Sequence, residues 1–117
     1  MNPPLTTYLP VLLLTWAVEL PLLVLILRRH APWTRVVAAG ALGTAITHPQ
    51  LWYLWPHLFD DYTTFIVCGE LAVVAIETVV MAVACRKHFG PLLALGAVAL
   101  ANAGSYAVGA MLRGVLG

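Results

Sequence analysis

Three glutamates, Glu19, Glu70 and Glu77, stand inside long apolar runs of the sequence. An ionised side chain in the middle of a membrane helix costs at least about 2.5 kcal/mol, so such residues face an interior and mark a functional site by default. Carboxyl groups in that setting bind protons or metal ions, or act as general bases. The sequence therefore indicates a buried polar site on the elements that carry these glutamates.

The composition of the chain is that of an integral membrane protein. Of its 117 residues 62% are hydrophobic and 9% charged, and the mean hydropathy is +0.91. Soluble domains carry about 25% charged residues. The formal net charge of +1, without a clustered basic face, excludes nucleic acid as a partner. The expected partner is the lipid bilayer, together with further copies of the chain or a larger membrane complex.

Four apolar stretches predict four transmembrane helices: Leu5 to Leu27, Val36 to Trp55, Tyr62 to Ala84 and Pro91 to Leu112. Each has about the 20 residues that cross the hydrocarbon core, and only a helix satisfies its own backbone there. The segment before the first stretch has no Lys or Arg, so we expect a retained helix and not a signal peptide. The predicted fold class is an all-α membrane protein.

The loops predict the orientation. Five of the six Lys and Arg residues lie between the first and second stretches or between the third and fourth, whereas the second loop carries Asp60 and Asp61. Basic loops stay in the cytoplasm. We therefore expect a multi-pass protein of the inner (plasma) membrane with both termini on the non-cytoplasmic side. The aromatic residues near the predicted helix ends, Trp33, Trp52, Tyr53, Trp55 and Tyr62, are expected to be headgroup anchors.

An internal repeat relates the two halves of the sequence. A shift of 58 positions places Glu19 on Glu77, Arg28 on Arg86, Arg29 on Lys87, His30 on His88, Thr44 on Asn102 and Thr47 on Ser105. This predicts two tandem helical hairpins, residues 1–58 and 59–117, in a single membrane domain. Because each hairpin crosses twice, the copies have the same orientation and a pseudo-twofold axis along the membrane normal.

The repeat and the helical rise predict two polar layers. Glu77 and Asn102 lie roughly 14 to 17 Å from the cytoplasmic loops, and Glu19 and Thr44 share that depth. Glu70 and His48 lie further out, at roughly 24 and 20 Å. The outer pair is not duplicated, since its repeat counterparts are Leu12 and Tyr106. We expect His48 and Glu70 to face each other at the centre of the site. The inner residues form the rest of the intramembrane polar site, with Thr44, Thr47, Ser105 and Tyr106 in support.

Several of these elements occur together: Thr47, His48 and Pro49 with Trp52 nearby, Glu70 and Glu77 seven apart, and Asn102 with Ser105. In this respect the chain resembles a family of small, uncharacterised bacterial four-helix integral membrane proteins, over residues 44 to 109. The family pattern has Asn where this chain has Thr44. The resemblance implies that these positions work together, and it implies no particular reaction.

Three functions follow from such a site. The leading hypothesis is a polar network that fixes the bundle of an accessory or assembly subunit of a membrane complex. An alternative is a divalent metal or proton binding or transport site between the halves, with His48 and Glu70 as metal ligands. Another alternative is a lipid-acting enzyme with a Glu or His as general base, although no Gly-x-Ser-x-Gly or His-Glu-x-x-His motif is present.

Overall fold

The structure, a computed structural model, describes residues 5–116, with side chains from residue 8 to residue 112. Within that part the chain forms four α-helices and no strand: α1 (Leu5–Leu27), α2 (Trp33–Pro49), α3 (Tyr62–Ala84) and α4 (Pro91–Leu116). The prediction of an all-α chain with four helices is confirmed. Three stretches are long and apolar enough to cross a membrane: Tyr8–Leu27, Tyr62–Ala84 and Pro91–Leu112.

The end of α2 differs from the sequence prediction. The α-helix stops at Pro49, a π-helical turn covers Gln50–Leu54, and a 3₁₀ turn covers Trp55–Leu58. Pro49 has no N–H to donate to the carbonyl of Ala45, so one bond of the regular hydrogen-bond ladder is missing where the α-helix ends. Beyond it the Trp55 N–H bonds to the Gln50 carbonyl, and the Gln50 amide donates to the Ile46 carbonyl at 2.9 Å. The backbone is thus satisfied locally after the break.

The four helices form a ring in which each packs mainly on two neighbours. Both α1 and α3 pack against α2 and α4. Toward the loops that hold most of the basic residues, the centre of the ring is filled by apolar side chains that are at most 4% exposed. We call this group the apolar plug: Leu23, Leu27, Val36, Met81, Cys85 and Ala94. It closes this end of the bundle.

Two contacts at the helix ends fix the loops. The Arg35 guanidinium at the start of α2 donates to the Ala84 carbonyl at the end of α3, at 2.9 Å. At the opposite end Asp61 caps α3, accepting from the backbone N–H and the hydroxyl of Thr64, both at 2.9 Å. These bonds hold the pKa of the Asp61 carboxyl below its ordinary value.

Burial follows the 58-residue shift. Leu23 and Met81 are both buried, as are Ala39 and Ala97. The outward positions correspond too, since Leu13 and its counterpart Leu71 are 61% and 66% exposed. The outer faces of the bundle therefore carry large apolar side chains in both halves, and buried positions in one half correspond to buried positions in the other.

Candidate functional site

Six polar side chains meet between the four helices, next to the apolar plug. We call them the polar network: Glu19, Thr44, Thr47, Glu77, Asn102 and Ser105. The first five are between 1% and 8% exposed, and Ser105 is half-buried. Each helix contributes at least one member, so the network requires the complete bundle.

Glu77 on α3 is the best-bonded member of the network. The Asn102 amide donates to its Oε1 at 2.7 Å and to the Val98 carbonyl at 2.9 Å. On the other side the Thr47 hydroxyl lies 3.1 Å from Oε2. Because both amide hydrogens of Asn102 are used, the orientation of this amide is fixed, and it holds the Glu77 carboxyl in one position.

Thr44 connects the two buried carboxyl groups. Its hydroxyl oxygen lies 3.4 Å from Oε1 of Glu19 and 3.2 Å from Oε2 of Glu77. A hydroxyl has one hydrogen, so Thr44 donates to only one of the two. The second contact is a hydrogen bond only when the other carboxyl is protonated and donates to the Thr44 oxygen. The geometry therefore accommodates a proton on the pair.

Thr47 likewise has one hydroxyl hydrogen and two acceptors within reach. Its hydroxyl lies 3.1 Å from the Gly43 carbonyl and 3.1 Å from Oε2 of Glu77. When it donates to Gly43, the contact with Glu77 again requires a carboxyl hydrogen. Glu19 in turn interacts with the Ser105 hydroxyl. The network thus contains more acceptor positions than hydroxyl hydrogens.

A glycine allows α2 and α3 to approach closely beside the network. A Cβ added at Gly43 would lie 3.2 Å from Cγ of Glu77 and 3.5 Å from its Cα. Small residues at helix crossings serve this purpose in membrane proteins. Gly43 therefore lets the backbone of α2 come close to Glu77.

An aromatic cluster surrounds His48 on the outer side of the network. The Tyr8 ring lies 5.3 Å from the His48 ring, and Trp52 stacks on His48 at 6.0 Å with an interplanar angle of 24°. Tyr53 packs edge-on against Tyr8 at 5.3 Å. Trp52 is four residues after His48, so the helix stacks one ring above the other. Trp52 is half-buried and lies just beyond the end of α2, as the sequence predicted, and its ring also lines the interior next to His48.

His48 is buried with incomplete hydrogen bonding. It is 8% exposed, and its Nε2 lies 3.4 Å from the Thr15 hydroxyl. Its Nδ1, like the hydroxyls of Tyr8 and Tyr53, has no hydrogen-bond partner among the described residues. Buried polar atoms of this kind are exceptions that call for an explanation.

A cavity of about 350 Å³ runs between the helices from the polar network toward the loop between α2 and α3. Its inner end is formed by Glu19, Glu77 and Asn102, and its outer end by Pro56 and Tyr62. Glu70 lies on the wall between these ends, and His48 lies on the wall contributed by α2. On the far side of the network a space of only about 10 Å³ remains, reaching Leu23 and Met81. The cavity is therefore closed at the apolar plug.

The structure brings together most of the residues that the sequence singled out. Glu19, Glu77, Asn102 and the supporting Thr44, Thr47 and Ser105 form one network, and Tyr106 lines the same cavity. His48 and Glu70 share the cavity wall, but no hydrogen bond joins them in the described part of the chain. Sequence reasoning missed Tyr8 and Thr15, the two α1 residues that contact His48.

The described residues contain no group of three or more His, Cys, Asp or Glu side chains placed to hold a metal ion. The metal site expected at His48 and Glu70 thus receives no support from the geometry, and the donors around Glu77 are hydroxyl and amide groups that suit a carboxyl.

Comparison of the chain with protein-family models, with curated proteins and with solved structures found no match.

Proposed function

We propose that this chain is a four-helix integral membrane protein whose buried carboxyl pair, Glu19 and Glu77, binds and releases a proton through the central cavity. Support for the membrane setting comes from the three long apolar helices and from outward leucines such as Leu13 and Leu71, which are more than half exposed. Large apolar surfaces on every side suit lipid and not water. The basic loops place the closed end toward the cytoplasm, so the cavity reaches the non-cytoplasmic side.

The proposal includes the duplicated hairpin, residues 1–58 and 59–117. Within each hairpin a residue of the second helix bonds the glutamate of the first, Thr44 to Glu19 and Asn102 to Glu77. Between hairpins Thr47 contacts Glu77, and its counterpart Ser105 contacts Glu19. Two sets of contacts related by the same 58-residue shift favour a duplication in which each half supplies one carboxyl group.

A single observation carries the proton hypothesis: the Thr44 hydroxyl lies within hydrogen-bond distance of both carboxyl groups. No Lys or Arg lines the cavity along the described residues, so no fixed cation balances two ionised glutamates. Two neighbouring carboxylates in a buried site share a proton for this reason. When Glu19 is protonated, its carboxyl donates a hydrogen bond to the Thr44 oxygen, and the Thr44 hydroxyl donates to Glu77. Both contacts of Thr44 are then hydrogen bonds.

Thr44 also provides a route for the proton between the carboxyl groups. When its hydroxyl passes a hydrogen to Glu77 and receives one from Glu19, the proton has moved from one half of the bundle to the other. Asn102 does not take part, because its amide donates in either state. It keeps Glu77 in place while the proton moves, and the cavity gives the pair access to one side.

The competing hypothesis is an accessory or assembly subunit whose polar network only holds the helices together. Both hypotheses use the same contacts, and they differ in whether the carboxyl pair exchanges its proton with water in the cavity. A network that serves packing alone keeps its protonation state as the external pH changes.

Infrared difference spectroscopy on the protein in lipid nanodiscs distinguishes the two. We expect a pH step to change the carbonyl stretch of a protonated carboxyl, and Glu77→Gln and Glu19→Gln each to alter that band. Asp60→Asn, which changes an exposed loop carboxyl, is the matched control and should leave it unchanged. A folded protein whose buried carboxyl band does not respond to pH would overturn the proton hypothesis and favour the structural one.

Cysteine labelling tests the orientation. In a background with Cys68→Ala and Cys85→Ala, a membrane-impermeant maleimide added to intact cells should label Asp60→Cys and not His88→Cys. Both positions are exposed, so a difference reports the side of the membrane. Labelling of His88→Cys from outside would reverse the proposed orientation.

A further inference from the structure

The outer half of the cavity carries chemistry that the carboxyl pair does not use. Glu70 is half-buried on its wall, and no hydrogen bond reaches its carboxyl from any described residue. His48 is 8% exposed, and its Nδ1 is buried without a hydrogen-bond partner among the described residues. These groups contrast with the polar network, where each carboxyl has donors. Their arrangement is that of a site for a ligand.

The charged groups that line the cavity favour a ligand of positive charge. Three carboxyl groups line the cavity, those of Glu19, Glu70 and Glu77, and His48 is the one basic side chain among its described lining residues. An anion would meet carboxyl groups without a compensating cation. A cation gains from every one of them, and most from Glu70, which has no donor of its own.

Aromatic rings line the same half of the cavity. Trp52 in the π-helical turn after α2, Phe65 on α3 and Tyr106 on α4 all contribute to the wall that Glu70 shares. Aromatic faces attract ammonium and other organic cations, and Trp does so best. The remaining wall there is aliphatic, with Leu51 and Ile66 as examples, which suits the hydrocarbon part of a ligand.

The alternative of a bare metal ion fits less well. Divalent ions are held by several ligand atoms around one point, and the described residues offer no group of three or more His, Cys, Asp or Glu placed in that way. A volume of about 350 Å³ also exceeds the needs of an ion, while it lies at the lower end of the range for small-molecule pockets.

We infer that the outer half of the cavity binds a small organic ammonium ion, with Glu70 as its counter-ion and Trp52 as its aromatic contact. The inference rests on the proposed function and deepens it, because the cation and the proton of the Glu19 and Glu77 pair share one cavity. The titratable groups that face the bound cation are Glu70 and Glu77 on α3, Glu19 on α1, His48 on α2 and Tyr106 on α4. Binding of the cation therefore favours release of the proton.

A charge series of one shape tests the inference: benzylammonium, benzyl alcohol and benzoate, titrated against the purified protein in nanodiscs by calorimetry. We expect benzylammonium to bind at least about tenfold more tightly than the alcohol, as one charge-assisted hydrogen bond provides, and benzoate not to bind. Equal binding of the alcohol and the ammonium would overturn the inference.

Substitutions test the roles of Glu70 and Trp52 in binding the cation. Glu70→Gln should weaken benzylammonium binding at least about tenfold and Glu70→Asp should restore part of it, whereas Asp60→Asn should have no effect. Trp52→Leu should weaken it by several-fold through loss of the ring face. Full binding by Glu70→Gln would overturn the assignment, and circular dichroism of each variant establishes that the helices are intact.

Changing the lipid of the nanodiscs distinguishes a lipid headgroup amine from a free amine as the bound ammonium group. Phosphatidylethanolamine carries a primary amine, and phosphatidylglycerol does not. If benzylammonium binds more weakly in nanodiscs containing phosphatidylethanolamine, the headgroup amine occupies the site; equal affinity in both identifies a free amine as the ligand. The infrared experiment is done in phosphatidylglycerol nanodiscs without added amine. A pH-responsive carboxyl band without ammonium binding then overturns this inference alone, and ammonium binding without that band overturns the proton hypothesis alone.

Discussion

The polar network and the cluster around His48 lie next to each other in one bundle, and they differ in how completely their polar atoms are satisfied. In the network Glu77 has three side-chain partners, and its Asn102 uses both amide hydrogens. Around His48, one ring nitrogen and the hydroxyls of Tyr8 and Tyr53 have no partner in the part of the chain described. The polar network therefore specifies the packing of the bundle, whereas the cluster around His48 adds few hydrogen bonds to it.

The largest expected effect is in the network. Asn102→Leu removes the 2.7 Å bond to Glu77 and leaves a buried carboxyl oxygen without its amide donor. We expect a loss of about 2 kcal/mol in the free energy of unfolding, at the upper end of values for interhelical bonds. Unfolding in mixed detergent micelles measures it, and Ala103→Leu on the exposed face of α4 is the control. Equal stability of the two variants would remove the distinction between the regions.

A smaller loss is expected from Gly43→Ala. The added methyl group would lie 3.2 Å from Cγ of Glu77, so α3 must shift or the carboxyl must rotate away from its donors. We expect a cost of about 1 kcal/mol from overpacking. Gly96→Ala on α4 is the matched control, because nothing lies within 4 Å of its added Cβ, and the better helix former should be neutral or stabilising. The two variants should change stability in opposite directions in the same unfolding assay.

The Thr44 bridge predicts a pairwise coupling. In a double-mutant cycle, Thr44→Val and Glu19→Gln should couple by about 0.6 kcal/mol, the average for interhelical hydrogen bonds in a membrane. Thr47→Val and Glu19→Gln should not couple, since the Thr47 hydroxyl contacts Glu77 and Gly43. A coupling of the second pair as large as the first would show that the network acts as an undivided unit.

The smallest effect is expected in the outer region. Tyr53→Phe removes a buried hydroxyl that has no partner, so the folded state loses no described hydrogen bond. Stability should change by less than about 0.5 kcal/mol. Thermal unfolding followed by circular dichroism is sufficient for this test. A marked destabilisation would mean that the outer hydroxyl is bonded after all and would weaken the contrast with the network.

The helix bounds could be read from the sequence wherever polar loops interrupt the apolar runs. The bounds of α1 and α3 agree with the prediction at both ends, since Arg28, Asp61 and Cys85 lie beside abrupt changes in composition. The end of α2 was not predicted, because apolar residues continue past Pro49. A pattern of apolar residues does not reveal that the backbone changes to π-helical hydrogen bonding after a proline.

The inner part of the site could be predicted because the 58-residue shift between similar stretches of the sequence supplied a register. Once Glu19 matches Glu77, Thr44 and Asn102 fall at the same depth, and the helical rise then brings them together. For the outer part, the 58-residue shift matches no pair of similar polar residues that would give the register. Tyr8 resembles any aromatic residue near a helix end, and only the packing of α1 against α2 brings its ring to His48.

Because the apolar plug closes the cavity, a proton that binds the carboxyl pair crosses only part of the transmembrane potential. Moving one charge across a whole membrane corresponds to about 2.3 kcal/mol per 100 mV of potential. A proton that reaches Glu19 and Glu77 from the cavity side, with the plug ahead of it, crosses roughly half of that field, or about 1 kcal/mol per 100 mV. In the proposed orientation an inside-negative voltage therefore favours the protonated pair, and its occupancy depends on membrane voltage as well as on the pH of one compartment.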